Sequence, residues 1–311
     1  MEVGFGDIVQ PMCPRSNLYL PISILQMKEG MAIMEMMDRQ SSAERIGRMN
    51  EPRFELIPAN RIVERATAAL PPHATLTVTC SPKKGVDATI DTAIALAPRF
   101  AGVVPHIGAR MVRSEKHLEG ILDKLRINGL EEIFVIGSDQ KQPLGPYRYG
   151  FELLRSLATR DHGLRRIGIP AYPEGHPNIN NDILAEDLLV KAPFVHYAVS
   201  QMCFDSDQVL AWLRQQREAG LQLPVYLGIP GPVKPDKLLR IAANIGVTDS
   251  LRFLRKNLKL SGKLLHGYDA SGLMNAYTPH LNESDYGIAG FHIYTFNELV
   301  TLKKTFDRVA T

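Results

Sequence analysis

The 311-residue chain is 45% hydrophobic and 22% charged, with a net charge of +3 from 36 basic and 33 acidic residues. That composition reads as globular, one large domain or two ordinary ones, and its dispersed basic residues, without a polybasic tail, argue against a nucleic-acid partner. Cys13, Cys80 and Cys203 stand at wide spacings, so neither a disulfide framework nor a metal site is expected and a reducing cytoplasm fits best.

Residues 1–50 differ from the rest. Their second half is Met-rich (Met27, Met31, Met34, Met36, Met37), and no strand or helix pattern pairs with a neighbour, so they read as an extension and residues 51–311 as the folded domain. The apolar stretch LYLPISILQM (18–27) is too short to span a bilayer and is broken by Pro21, so no membrane association is expected.

From Arg53 the pattern becomes regular. RFELIP (53–58) reads as a strand, and Asn60 is placed to cap a helix through Leu70. TLTVTC (75–80) is a strongly β-branched second strand. A helix opens near Asp87 and runs towards Arg99, followed by a third strand, GVVPHIGA (102–109). The segment 114–128 carries Leu118, Ile121, Leu122 and Leu125 at helical spacing, and EEIFVIGSD (131–139) is a fourth strand. The alternation continues with helix 147–160, strand 165–172, helix 180–191, strand 194–201, helix 206–219, strand 223–229 and helix 235–244. A helical insertion of about forty residues then precedes a last strand, GIAGFHIYT (287–295), and a terminal helix. Eight βα units in roughly 260 residues, with strands apolar on both faces, predict a closed (β/α)8 TIM barrel; an open doubly wound sheet is the lesser alternative.

A barrel builds its site where the C-terminal ends of the strands converge. Those ends carry Glu55, Thr79, His106, Asp139, Gln201 with Asp205, Gly228 and Tyr294. The fifth strand leads into AYPEGHP (171–177), which sets Tyr172, Glu174 and His176 between two prolines in a rigid polar loop. One polar residue at a strand end is more often a cap or a satisfied core group. Their recurrence around one mouth points to a site.

FELIP (54–58), PHIG (105–108), GSD (137–139), AYPEGHP (171–177), SQMCFD (200–205) and FHIYTFNE (291–298) resemble the ordered motifs of the methylenetetrahydrofolate reductase family, from about residue 53 to residue 309. The resemblance implies a (β/α)8 barrel that holds FAD and uses NADH or NADPH to reduce methylenetetrahydrofolate to methyltetrahydrofolate. It places Glu55 on the family's general acid, Asp139 on an aspartate near flavin and pterin, and Gln201 on a pterin-binding glutamine. Thr79, His106, Asp139, Tyr172 and His176 fall on flavin-contacting positions. The implied partners are a folate and a nicotinamide, with the oligomeric state, a homo-oligomer included, left open.

Chemistry is in keeping with these roles. Opening the folate's five-membered ring to an iminium requires a proton on the departing nitrogen. Glu55, between Phe54 and Leu56 at an apolar strand end, is placed to stay neutral and donate it, while Asp139 supplies negative charge. The chain departs from the family pattern at Gly137-Ser138-Asp139 (commonly Arg-Gly-Asp), at Cys80 (often aromatic), at Lys191 (displaced by one position) and at Phe194-Val195-His196-Tyr197. A second reading therefore stands beside the first: a pterin-binding barrel with weak or absent flavin, reducing folate directly from nicotinamide or not redox-active. The segment RFLRKNLKLSGK (252–263) has a basic face, read either as a solvated helix or as a landing site for the folate's glutamate tail.

Overall fold

The computed structural model describes residues 52–303 apart from 178, 235–236, 242–269 and 282. The extension 1–50 and the basic segment 252–263 lie outside the described residues.

The strands are β1 (Arg53–Leu56), β2 (Thr75–Val78), β3 (Gly102–Gly108), β4 (Glu132–Ile136), β5 (Arg166–Ala171), β6 (Tyr197–Ser200), β7 (Val225–Pro230) and β8 (Ile288–Tyr294). All pair in parallel and in sequence order, and β8 returns to β1 through Arg53↔His292 and Glu55↔Tyr294. That closure excludes the open doubly wound sheet, and the fold is a (β/α)8 barrel. Between the strands run α1 (Ile62–Ala69), α2 (Gly85–Leu96), α3 (Glu115–Ile127), α4 (Gly150–Ala158), α5 (Asn181–Lys191) and α6 (Ser206–Glu218). A further helix, α7 (Ser271–Tyr277), precedes β8 and lies within the insertion that the sequence reads as helical.

Local chemistry explains most helix boundaries. Ser114 caps α3 by accepting a hydrogen bond from the His117 amide at 3.1 Å, and the predicted stripe Leu118, Ile121, Leu122 and Leu125 is buried. Asn180 caps α5, accepting from the Asp182 amide at 2.7 Å. Asp205 caps α6 through the amides of Asp207 and Gln208, so this carboxylate of the β6 exit is spent on a helix end. Asn60 does not cap α1. The turn closes between the Ile62 amide and the Ala59 carbonyl, Arg61 takes a left-handed φ of 56°, and Asn60 is left exposed.

The barrel interior is filled by an unusual floor. Arg53, 3% exposed, points inward from β1. It donates to the Tyr197 hydroxyl at 2.8 Å and to Glu132 Oε1 at 2.6 Å. Its guanidinium carbon lies 4.5 Å and 4.4 Å from the ring centroids of Tyr197 and Tyr226. Arg166 adds a second cation 3.7 Å from Glu132. Burial opposes the charge on Arg53, yet Glu132 and the two phenols raise its pKa, and Arg53 and Arg166 more than offset burial to lower that of Glu132. Gly168 makes room for this arrangement, because a Cβ there would lie 2.2 Å from the Tyr197 ring.

Removing one partner of a buried ion pair strands the other. Arg53→Met is expected to destabilise the fold by about 3–5 kcal/mol in urea unfolding, and adding Glu132→Gln should recover part of that loss. A single variant within about 1 kcal/mol of the parent would show that the pair does not hold the floor.

Candidate functional site

Above the floor, the C-terminal strand ends enclose a partly open cavity of about 440 Å³. Its polar wall is formed by Glu55, Thr79, His106, Tyr172, Gln201, His292 and Tyr294, and its apolar wall by Cys80, Phe134, Ile136, Pro170 and Val199. Six of the residues expected at the mouth, Glu55, Thr79, His106, Tyr172, Gln201 and Tyr294, therefore share one cavity. Asp139 and His176 do not line it. Both stand next to Tyr172: Asp139 is close enough to raise the phenol's pKa, after burial and Asp187, and the His176 ring packs edge-on at 5.5 Å.

Glu55 is held by the end of β8. Its carbonyl accepts from the Thr295 hydroxyl, and Asn297 brackets the next residue but one, its Oδ1 accepting from the Ile57 amide at 3.0 Å and its Nδ2 donating to the Ile57 carbonyl at 2.9 Å. Phe296 and Asn297 adopt left-handed φ values of 50° and 59° to make this clamp. The FHIYTFNE motif is thus both a strand end and a brace for the carboxylate on β1.

The electrostatics favour neutral groups. Burial raises the Glu55 carboxyl to about 7, with His106 acting in the opposite direction. Burial lowers His106 to about 4, helped by His292 and Arg53 and opposed by Glu55. His292 falls to about 3 by burial and the Arg53 charge. His292 Nε2 and Glu55 Oε2 are 3.3 Å apart, a separation that would suit an ion pair. Because both groups shift towards their uncharged forms, the contact near neutral pH is a hydrogen bond between the carboxyl and an uncharged imidazole.

The AYPEGHP loop is tied down at each end. The Gly175 amide donates to the Tyr172 carbonyl at 3.0 Å, and Gly175 has a φ of 78° with no room for a side chain beside Asn181. Glu174 hydrogen-bonds Cys203, which, after burial, raises the thiol's pKa. Glu174 is therefore a fastening to the β6 exit. Gln201 is oriented by its own backbone, its amide oxygen accepting from the Met202 amide at 2.8 Å. Tyr294 donates to the Ser200 carbonyl at 3.0 Å, and its ring fits because β7 has Gly228, where a Cβ would come within 2.7 Å.

Three buried polar atoms of cavity-lining residues, His106 Nε2, His292 Nδ1 and the Tyr172 hydroxyl, have no hydrogen-bond partner among the described residues. Buried polar atoms of this kind are normally satisfied, and a heterocycle with ring nitrogens and carbonyls offers partners to His106 and Tyr172, so the donor set fits a flavin ring. A second cavity of about 900 Å³ adjoins the first at Pro170 and Tyr172 and runs beneath α5 and α6. Lys191 lines it but is ion-paired with Asp187, and Asp182 also faces it. Among the described residues, no cluster of three His, Cys, Asp or Glu side chains could hold a metal ion, and no helix is long and apolar enough to cross a membrane.

A family model for methylenetetrahydrofolate reductase matches residues 59–309. The chain belongs to the methylenetetrahydrofolate reductase family. A stretch of 110 residues is 31% identical to methylenetetrahydrofolate reductase 1 of Schizosaccharomyces pombe, covering 35% of this chain and 18% of that protein. A stretch of 159 residues is 25% identical to methylenetetrahydrofolate reductase 2 of Saccharomyces cerevisiae, covering 49% of this chain and 26% of that protein. The matches thus span about a fifth to a quarter of these relatives. Glu55 lies upstream of the residues that the family model matches, so its place at the mouth rests on the barrel geometry.

Sequence reasoning missed His292 and Asn297 as separate contributors. His292 sits in an apolar strand, where a lone histidine reads as core, but its even spacing from Tyr294 put it on the same inward face.

A carboxyl whose pKa is raised on folding stabilises the protein fully below its unfolded value and loses that contribution as pH rises through the folded value. The parent should therefore lose stability relative to Glu55→Gln between about pH 5 and pH 8, by roughly 1–3 kcal/mol. Urea unfolding of both proteins across that range checks it. A pH-independent difference would show that Glu55 is not held neutral by burial.

Proposed function

We propose that this protein is an oxidoreductase that reduces 5,10-methylenetetrahydrofolate to 5-methyltetrahydrofolate, with NADH or NADPH as hydride source and FAD at the barrel mouth. The observation that carries this reading is a buried carboxyl, Glu55, with a pKa of about 7 on the wall of the mouth cavity. A general acid works best with a pKa near the working pH, and burial supplies that value here.

In this reading Glu55 gives its proton to the folate nitrogen that departs when the five-membered ring opens, the carbon–nitrogen bond breaking as the nitrogen–hydrogen bond forms. Asp139 contributes negative charge at the β4 exit that favours the resulting cation. Gln201, held by the Met202 amide, hydrogen-bonds the pterin. Thr79, His106, Tyr172 and His176 would hold the flavin, which when bound supplies a ring able to take up and release hydride. Neutral His106 offers it a hydrogen bond without adding charge. Residues 51–311 form the catalytic domain.

A more weakly held flavin is favoured by one feature of the second cavity. Its wall carries Asp182 and Asp187, and Lys191 is committed to Asp187, so a diphosphate entering there would meet little free positive charge. The visible spectrum of the purified protein, before and after added FAD, separates tight from loose retention.

Glu55→Gln tests the acid. Nicotinamide-driven bleaching of added flavin needs no proton at the folate nitrogen and should stay within a few-fold of the parent, while reoxidation by methylenetetrahydrofolate should slow by about 10²–10⁴-fold in rapid-mixing absorbance. Reoxidation at nearly the parent rate would remove Glu55 from this role, and failure of both halves would make it a structural residue. Asp139→Asn should slow the folate half alone by more than about tenfold; an unchanged rate would rule out its electrostatic part.

A further inference from the structure

Glu55 has a neighbour that the proposed chemistry does not yet use. His292 is 1% exposed on β8, its Nε2 lies 3.3 Å from Glu55 Oε2, and its ring packs against Tyr294 at a centroid distance of 4.9 Å. Its other nitrogen, Nδ1, is buried and has no hydrogen-bond partner among the described residues.

These facts select a tautomer. A neutral imidazole has one N–H donor and one bare acceptor. Nδ1 is unpartnered among the described residues in either tautomer, so the contact at Nε2 decides: once Glu55 has given up its proton its oxygens can only accept, and a hydrogen bond to Oε2 then requires the hydrogen on Nε2. With Oε2 thus occupied as an acceptor, the acid proton belongs on Oε1.

We propose that His292 is a positioning residue for the acid: its Nε2–H donates to Glu55 Oε2, fixes the rotation of the carboxyl so that Oε1 presents the proton, and holds the carboxylate once that proton has moved to the folate nitrogen. The proposal rests on the reading of Glu55 as proton donor. His292 stays neutral throughout and takes no proton itself. The other groups that act on or from Glu55 are His106 from β3 and Tyr294 from β8, Tyr294 being engaged with the Ser200 carbonyl, while Arg53, two residues back on β1, acts on His106 and His292. Among these, His292 makes the side-chain hydrogen bond to the carboxyl. The β1–β8 register, with Arg53 opposite His292 and Glu55 opposite Tyr294, fixes the geometry in the backbone.

The first test uses the unaltered protein. Nitrogen-15 chemical shifts of His292, assigned by comparison with His292→Gln, should show the neutral Nε2–H form from pH 6 to 8, with a shift that responds to the titration of Glu55 and loses that response in Glu55→Gln. An Nδ1–H tautomer, an imidazolium at pH 7 or no response to Glu55 would overturn the proposal. The second test compares pH profiles of the folate half-reaction. His292→Phe keeps an aromatic ring but removes the donor, so the rate should fall about tenfold and its alkaline limb should move up by about one pH unit, because the carboxylate has lost a hydrogen bond. His292→Gln restores an N–H donor and should return both rate and limb to within about threefold and a few tenths of a unit of the parent. An unmoved limb in the Phe variant, or a Gln variant no better than Phe, would also overturn it. If the nitrogen shifts behave as expected while Glu55→Gln leaves folate reduction intact, the contact stands and the acid assignment fails, so the two ideas are separable.

Discussion

One cation organises the barrel from beneath. Arg53 lies inside the strands where most barrels of this class place branched aliphatic side chains, and it is tolerated because Glu132 and Tyr197 receive its hydrogen bonds and the edge-to-face rings of Tyr197 and Tyr226 lie against it. This floor demands small residues elsewhere, and Gly168 is the clearest case. It also reaches upward. The Arg53 charge helps keep His106 and His292 unprotonated, whereas Glu55, two residues along the same strand, owes its raised pKa to burial. A fixed charge at the floor and a dry wall at the mouth together leave two imidazoles that are neutral near neutral pH and a carboxyl that gives up its proton only around pH 7.

The mouth is made rigid by its last strand. Thr295 and Asn297 fasten the exit of β1, Tyr294 spans to the β6 exit, and His292 meets Glu55. The contacts to β1 and its exit join residues about 240 positions apart in the sequence, so the acid can be placed only when the barrel closes. The alternative fastening is the AYPEGHP loop, whose Glu174 and Gly175 hold Tyr172 at the cavity edge.

The eight-unit architecture was legible because each strand is a short, doubly buried apolar run followed by a helical repeat, and because this periodicity depends on local sequence alone. The mouth was legible for the same reason: a strand's end is known once the strand is. What the pattern concealed was pairing across the barrel. Arg53 read as the first residue of an ordinary strand, since its partner Glu132 is 79 positions away. His292 was hidden among apolar neighbours. Asp139 and His176 were placed at the right strand ends but stand beside Tyr172, off the cavity wall, because a strand end specifies a level in the barrel and leaves the direction of the side chain to the loop. At that exit Ser138 takes a φ of 88° and packs against Gly108, a turn that no periodicity reports. Asp205 and Asn60 show a related limit: both are residues that favour helix caps, and the local turn geometry decided that one is used as a cap and the other is not.

The central claim is that burial at the barrel mouth keeps Glu55 protonated close to neutral pH. Infrared difference spectroscopy measures this directly, by following the carbonyl stretch of a protonated carboxyl that is present in the parent and missing in Glu55→Gln. The account predicts a band that persists well above the ordinary carboxylate range and disappears with a midpoint of about 7. A band lost near pH 4.5, the value of an unperturbed glutamate, would contradict it.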